Sequence, residues 1–454
     1  MIQERRLLID IFSAALVAVD PYTSVRRVAT IEGSVFHAAG AAYDLDAFSR
    51  IIVVGAGKAT ARMAMAIEDV LGSRISDGLV IVKQGHSAML RTIKQAEAAH
   101  PVPNEAGVEG TKRILAMVQA ADERTLVICL LSGGASALFV APVNGLTLRD
   151  KQEVTTLLLK SGASVGELNA VRKHMSAVKG GGLSKAACPG QIVTMILSDV
   201  VGDHLDVIAS GPTTSDSTTF ADAMAVIERY RLKEKIPLRV RAFLERGMKG
   251  REPETVKSGD PCLHETRNVI VGGIAQALSA AQEKSRRLGF TSEIITGELQ
   301  GEARDAARTL ARAAVQLRES LNPGERRCLI SGGETTVTVR GNGKGGRNQE
   351  LALAFALEIS GLNGITLLSA GTDGTDGPTE AAGAVVDGET VEKARLYGIR
   401  PETYLENNDS YTFFLNVDAA THSKHHVITG PTGTNVMDLQ IMLIEQHRNP
   451  EKGS

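Results

Sequence analysis

Apolar runs of strand length that stop at glycine and hand over to a helix-like stretch recur along this chain. RIIVVGAG (50–57) leads into KATARMAMAIEDVL. TLVICLLSGGASALF (125–139) repeats the pattern, and NVIVGGIAQALSAAQEKSRRLGF restarts it at residue 268. GLVIVK (78–83) and QIVTMILSDVVGD (191–203) read as further strands. Alternating strands and helices at this spacing predict an α/β protein with parallel or mixed sheets covered by helices. Residues 4–20 place Leu7, Ile11, Ala14 and Ala15 at helical spacing and predict an amphipathic helix. HPVPNEAG (100–107) reads as a proline-marked turn, with Asn104 as N-cap of the next helix. The polar, Gly- and Pro-containing stretch KGREPETVKSGDPCLH (249–264) is taken as a boundary between domains 1–258 and 259–454.

Composition narrows the function. The 454 residues are 43% hydrophobic and 22% charged, with a formal net charge of -2. That balance gives no electrostatic case for nucleic acid or an anionic membrane. Aromatic residues are 4% and Trp is absent, so stacking platforms are scarce. The four cysteines form no CxxC, and Cys129 and Cys328 sit in apolar runs, as expected for reduced, buried thiols in a cytoplasmic protein. MIQERRLLIDIF is charged from the start and has no signal-peptide pattern.

The segment ISGGETTVTVRGNGKGGRNQE (330–350) is the most informative about function. A β-branched run, Thr335 to Val339, predicts a strand entering a loop with glycines at 341, 343, 345 and 346. Lys344 and Arg347 stand at the start of a helix-like stretch. Backbone N–H groups, a helix N-terminus and a guanidinium fork together predict a site for phosphate or carboxylate. A glycine-rich hairpin is the rival reading.

GAGKATA (55–61) fails as a dinucleotide motif, because Thr60 replaces the third small residue and the next strand ends in Lys83 where an acid is wanted. It also fails as a P-loop, which would need Gly at Ile52 and Ser or Thr at Ala59. What remains is a strand-to-helix turn with Lys58 at a helix start, where a cation opposes the helix dipole unless it meets a ligand anion. A solvated surface lysine is the alternative. LSDVVGDHLDVIASGPTTSD (197–216) puts Asp199, Asp203 and Asp206 beyond a strand end, where α/β enzymes carry their chemistry. Asp199 could orient and deprotonate a hydroxyl, or bind Mg²⁺ with Asp203 through water. Capping and turn formation explain Asp203 and Asp206 equally well.

LLSAGTDGTDGPTEAAGA (367–384) repeats this arrangement with Asp373 and Asp376. An EF-hand is ruled out by Ala384 at the position of the closing acid, which leaves Mg²⁺ binding, ribose binding or a plain turn. In LNAVRKHMSAVKGGGLSKA (168–186), Asn169 is read as a helix cap. Arg172, Lys173, Lys179 and Lys185 are read as mostly solvent-facing, with one or two left to meet a phosphate. TGPTGTNVMDL (429–439) suits phosphate or substrate contacts, or a structural turn. HSKHH (422–426) lacks acids or thiolates nearby in sequence and is not read as a zinc site. Several anion loops, cations at helix starts and acids at strand ends together suit phosphoryl transfer.

These segments, with SGGASAL (132–138), IASGPT (208–213), SGGETTV (331–337), GGRNQELAL (345–353) and TGPTGTNV (429–436), resemble in order and over nearly the whole chain the type II glycerate kinases, the MOFRL family. Members are glycerate 2-kinases that often carry the label hydroxypyruvate reductase. The resemblance implies ATP- and Mg²⁺-dependent phosphorylation of D-glycerate, most simply on its 2-hydroxyl. An NAD(P)H-dependent hydroxypyruvate reductase is the alternative. It also implies an N-terminal Rossmann-like three-layer domain, a smaller C-terminal α/β domain with a mixed sheet, and an active site in the cleft between them. The family's catalytic residues fall on Lys58, Asp199 and Arg347, with Asp199 as base and Lys58 and Arg347 holding carboxylate or phosphoryl. The expected nucleotide-binding set is Gly55, Gly57, Ser132, Gly133, Gly134, Ser331, Gly332, Gly333, Glu334 and Asp373. Asp199 and Asp203 are the expected metal ligands, and a homodimer is one possible assembly. The chain departs from the family at His204, where GDDL becomes GDHL, at Met437, where TNVND becomes TNVMD, and in the polar SKHHV before TGPTG.

Overall fold

The computed structural model describes residues 2–446. The chain forms two compact units, residues 21–271 and residues 1–20 with 272–454.

The 21–271 unit begins with an antiparallel meander of β1 (Thr30–Glu32), β2 (Val35–Ala38) and β3 (Ala41–Asp44). Its main sheet holds β4 (Arg50–Ala56), β5 (Asp77–Lys83), β6 (Lys94–Ala98), β7 (Thr125–Leu131), β8 (Gln191–Leu197) and β9 (Thr266–Gly272) in the order β6-β5-β4-β7-β8-β9. The pairs from β6 through β8 are parallel, with Val54 opposite Leu79 on one side and Cys129 on the other. Both faces of β7 are buried, which explains its continuous apolar sequence. Helix starts are marked as the sequence requires. Asn104 accepts from Gly107 N–H at 3.3 Å before the helix Glu105–Gln119, and capping boxes open Leu148–Lys160, Val165–His174 and Phe220–Arg229. Those last three helices contribute to a separate apolar cluster around Leu158, Met224 and Phe243.

The other unit contains β10 (Thr291–Leu299), β11 (Arg326–Gly333), β12 (Ile365–Gly371), β13 (Gly383–Asp387), β14 (His426–Val427) and β15 (Asp438–Glu445). Their order is β10-β11-β15-β12-β13-β14; only β10 and β11 pair in parallel, so the sheet is mixed. The helix Arg347–Glu358 is buried along most of its length, packed with Leu367 and Val386 in one core.

Two boundaries differ from expectation. β9 joins the first sheet beside β8, so the first unit runs to 271 and not to 258. The N-terminal helix Ile2–Ala18 belongs with the C-terminal residues. Its Arg5 donates to His426 O at 2.8 Å, and Thr434 Oγ1 donates to Val19 O at 2.8 Å just past the helix. An amphipathic helix shows only that it has an apolar face, and not which core covers it. The run Thr335–Val339 is no strand either, because it bridges only at Thr336 to the turn Gly301–Glu302. No single helix among the described residues is long and apolar enough to cross a membrane.

Candidate active site

The order of the first sheet is the doubly wound one, and its direction reverses between β4 and β7. Folds with this strand order bind ligands outside the carboxyl ends of the strands at such a reversal. Gly57-Lys58 follows β4 and Ser132-Gly133-Gly134 follows β7, so the reversal falls on two of the predicted motifs.

The two loops are tied together. Lys58 N–H donates to Gly133 O at 2.9 Å and Ser132 N–H to Ala56 O at 3.2 Å. Ser132 is buried; its Oγ accepts from Ala59 N–H at 3.0 Å and lies 3.0 Å from Thr60 Oγ1. Its hydroxyl therefore serves the start of the helix Thr60–Leu71. Gly57 has φ +145°, and a Cβ there would lie 2.0 Å from Ser132 Oγ. Gly55 is a packing glycine inside β4, with Leu130 O 2.1 Å from where its Cβ would be.

Lys58 is half-buried, and no hydrogen bond or ion pair reaches its ammonium among the described residues. Asp199, two residues past β8, lies against Gly133: a Cβ on that glycine would be 2.2 Å from Asp199 Oδ2. The structure thus brings Lys58, Gly133, Gly134 and Asp199 to one edge of the sheet. Past Asp199 the chain is tightly folded, with the non-glycine residues Asp203, Ala209 and Ser210 at φ between +52° and +62°. Asp203 Oδ1 is buried with no hydrogen-bond partner.

Two of the four cations of 168–186, Lys173 and Lys179, are buried, whereas Lys185 is solvent-facing. Lys173 is 2% exposed and lies 3.2 Å from Asp206 and 3.3 Å from Asp216. Lys179 is equally buried and donates to Ala209 O at 3.2 Å; burial pushes its pKa well below the usual lysine value. Asn169 lies inside a helix capped by Ser164 and accepts from Ser210 Oγ at 3.0 Å. Sequence reasoning also passed over His86 and His100. Burial, then the charges of Lys58, Lys83 and His86, push the His100 pKa down to about 4. The available signal was the position of HPVP directly after the strand β6.

In the second unit, Arg347 opens the helix Arg347–Glu358 as predicted, but the anion at that helix start is the protein's own. Asp376 accepts from the N–H groups of Asn348 at 3.0 Å and Gln349 at 2.9 Å. Burial raises the Asp376 carboxyl to about 6 despite those bonds. Arg347 Nε and Nη2 hold Asp438 at 2.5 and 2.9 Å, and Nη1 lies 2.8 Å from Glu334. Burial opposes the Arg347 charge, but these carboxylates outweigh it and hold the pKa above the usual arginine value. Gly341, Gly343 and Gly345 pack on residues 407–410 and Gly346 on Asp376, Lys344 N–H donates to Asp409 at 2.8 Å, and its ammonium lies over Tyr411 at 4.4 Å. The anion loop expected from 341–347 is therefore a self-capped helix start. Asp376 and Asp438 lie 29 and 91 residues downstream of Arg347, beyond the reach of a local motif.

The remaining expected nucleotide contacts are mostly structural. Ser331 is buried and donates to Gln440 at 3.1 Å, Gly332 packs on Ile274, and Gly333 packs on Leu299 backbone. Asp373 accepts from Thr375 N–H at 3.0 Å in a local turn. His425, read as lacking an acidic neighbour, has Asp418 Oδ1 2.5 Å from its Nδ1, one helical end away.

Comparison with known proteins fits this arrangement. Residues 7–245 match a domain family described only as of unknown function, and residues 327–438 match the MOFRL family. The chain is 45% identical over 397 residues to a D-glycerate 2-kinase of Thermotoga maritima, covering 87% of this chain and 91% of that one. It is 40% identical over 446 residues to a glycerate 2-kinase of Pyrococcus horikoshii, covering 98% of each. The crystal structure of a glycerate kinase from Thermotoga maritima superposes with a TM-score of 0.85 at 40% identity, over 98% of this chain and 100% of that one. A match of this extent in sequence and fold places the chain in the MOFRL-containing glycerate 2-kinase family.

Proposed function

We propose that this chain transfers the γ-phosphoryl group of ATP to the 2-hydroxyl of D-glycerate, giving 2-phosphoglycerate and ADP. The observation that carries the reading is the half-buried Lys58 ammonium without an acid partner at the sheet reversal, beside the glycine that seats Asp199. A cation left unpaired in a ligand crevice favours an anionic ligand, and both substrates are anions. Lys83 at the end of β5, where a nicotinamide enzyme wants an acid for the ribose, supports the kinase over the reductase.

In this reading Asp199 accepts the hydroxyl proton as the substrate oxygen bonds to the γ-phosphorus and the bond to the bridging oxygen of ADP breaks. Lys58 neutralises charge on the carboxylate or on the transferring group. Arg347 is held in plane by the buried Asp438, whereas its Glu334 contact is half-exposed. Among the described residues no three His, Cys, Asp or Glu converge as a cage. Mg²⁺ takes one or two carboxylates and completes its shell with water and phosphate. Asp199 and Asp203 would hold it, and the partnerless Asp203 Oδ1 is the atom that fits. The ion, when bound, neutralises phosphate charge.

Phosphorus NMR of a mixture of protein, ATP, Mg²⁺ and D-glycerate tests the reading. 2-Phosphoglycerate supports it, 3-phosphoglycerate overturns the regiochemistry, and hydroxypyruvate-dependent NADPH oxidation without phosphoglycerate replaces it with the reductase.

A further inference from the structure

His100 is a half-buried polar side chain beside the glycine loop at the switch point. It follows β6, and its ring lies against Gly134. A Cβ on Gly134 would be 3.1 Å from His100 Cδ2, 3.2 Å from Nε2 and 3.2 Å from Lys58 Cγ, so imidazole and lysine stem flank one glycine. Neither ring nitrogen of His100 has a hydrogen-bond partner among the described residues. Two other enclosed histidines, His86 and His174, do hold partners. His86 Nδ1 lies 3.1 Å from Lys58 O, and His174 places one nitrogen 2.7 Å from Ala170 O and the other 3.0 Å from Glu254.

The groups facing His100 are the cation Lys58, with Lys83 and His86 farther off. They and partial burial keep its ring neutral at physiological pH. A neutral imidazole offers one donor and one acceptor. That pair complements a hydroxyl, which also both donates and accepts, better than it complements an anion, which only accepts. Beside it, Lys58 supplies the charge for the anionic group. The pairing of a neutral ring with a cation on one glycine matches a small acid that carries a second hydroxyl within a few ångströms of its charged group.

We propose that His100 is a specificity-determining residue that binds the glycerate hydroxyl that is not phosphorylated, and so selects glycerate over hydroxy acids lacking it. This rests on the kinase reading above. A site built to bond a hydroxyl discriminates against the analogue without it, because its own polar group is then left unpaired.

The test uses the full chain with ATP and Mg²⁺ and two acids: D-glycerate as substrate and D-lactate, which lacks the 3-hydroxyl, as competitor. His100→Ala is expected to raise KM for D-glycerate by about tenfold or more while the D-lactate inhibition constant stays within about twofold. His100→Asn, whose amide keeps a donor and an acceptor, is expected to recover part of the loss, and it serves as the working variant if the alanine form does not fold. KM and inhibition constant rising together would mean that the ring only shapes the crevice and would overturn the proposal, as would no change in either. A wild-type protein that forms no phosphoglycerate overturns the kinase reading itself, and this inference with it. An active wild type with an unaffected His100→Ala variant overturns the inference alone.

Discussion

Gly133→Ala displaces the proposed base without altering its chemistry. The backbone of Gly133 lies outside the left-handed region, so alanine is not strained there. Its Cβ, however, would sit 2.2 Å from Asp199 Oδ2 and 2.8 Å from Cγ. Ordinary contact begins near 3.4 Å, so the carboxylate end must retreat by 3.4 − 2.2, or about 1.2 Å. The cost to folding is small. An off-rotamer carboxylate costs about 0.5–1.5 kcal/mol, and replacing glycine returns about 0.4–1 kcal/mol through the unfolded chain. The cost to catalysis is larger, because a displacement of about 1 Å of a reacting group costs about 100-fold, or about 2.7 kcal/mol of barrier. The expected result is a kcat about 100-fold down with denaturation within about 1 kcal/mol of wild type. The assay is steady-state ADP release beside urea unfolding, repeated in Asp199→Asn, where adding Gly133→Ala should cost little more. A folded Gly133→Ala protein with kcat within twofold of wild type would refute the reasoning, as would full additivity in the double variant.

Gly57→Ala should behave in the opposite way, losing stability first. A Cβ at φ +145° would strike Ser132 Oγ and its backbone at 2.0 and 2.6 Å, so a loss above about 2 kcal/mol by urea unfolding is expected. Lys58→Met should lower kcat/KM about 100- to 1000-fold with an unchanged melting temperature, since its ammonium has no partner in the fold to lose. Asp376→Ala should cost about 1–2 kcal/mol by removing the carboxylate that caps the helix Arg347–Glu358. The pH dependence of that site follows from the carboxyl being raised to about 6 from 3.8. A raised folded pKa gives stability that is full below the unfolded value and lost as pH rises through the folded one. The stability of wild type relative to Asp376→Asn should therefore fall between about pH 4 and pH 6.5, and a rising or flat difference in paired urea titrations would contradict the burial argument.

The sequence by itself determined the elements and the chemistry they carry. Apolar runs marked β4, β5, β7, β8 and β9, Asn104 marked its helix start, and Lys58 and Asp199 stood out as polar residues at strand ends. These are local facts, fixed by backbone geometry and hydrophobic periodicity within about ten residues. Only the tertiary structure decided which charges are already spent. Arg347 looked like a free anion clamp, yet Asp438 and Glu334 hold it and Asp376 caps its helix. Lys173 and Lys179 looked solvated and are buried on Asp206, Asp216 and Ala209 O. His100 looked like part of a turn, and the order β6-β5-β4-β7 brings it beside Lys58. The partners are distant in sequence, and strand order, which no local pattern encodes, determines whether two charges neutralise each other or face a ligand together.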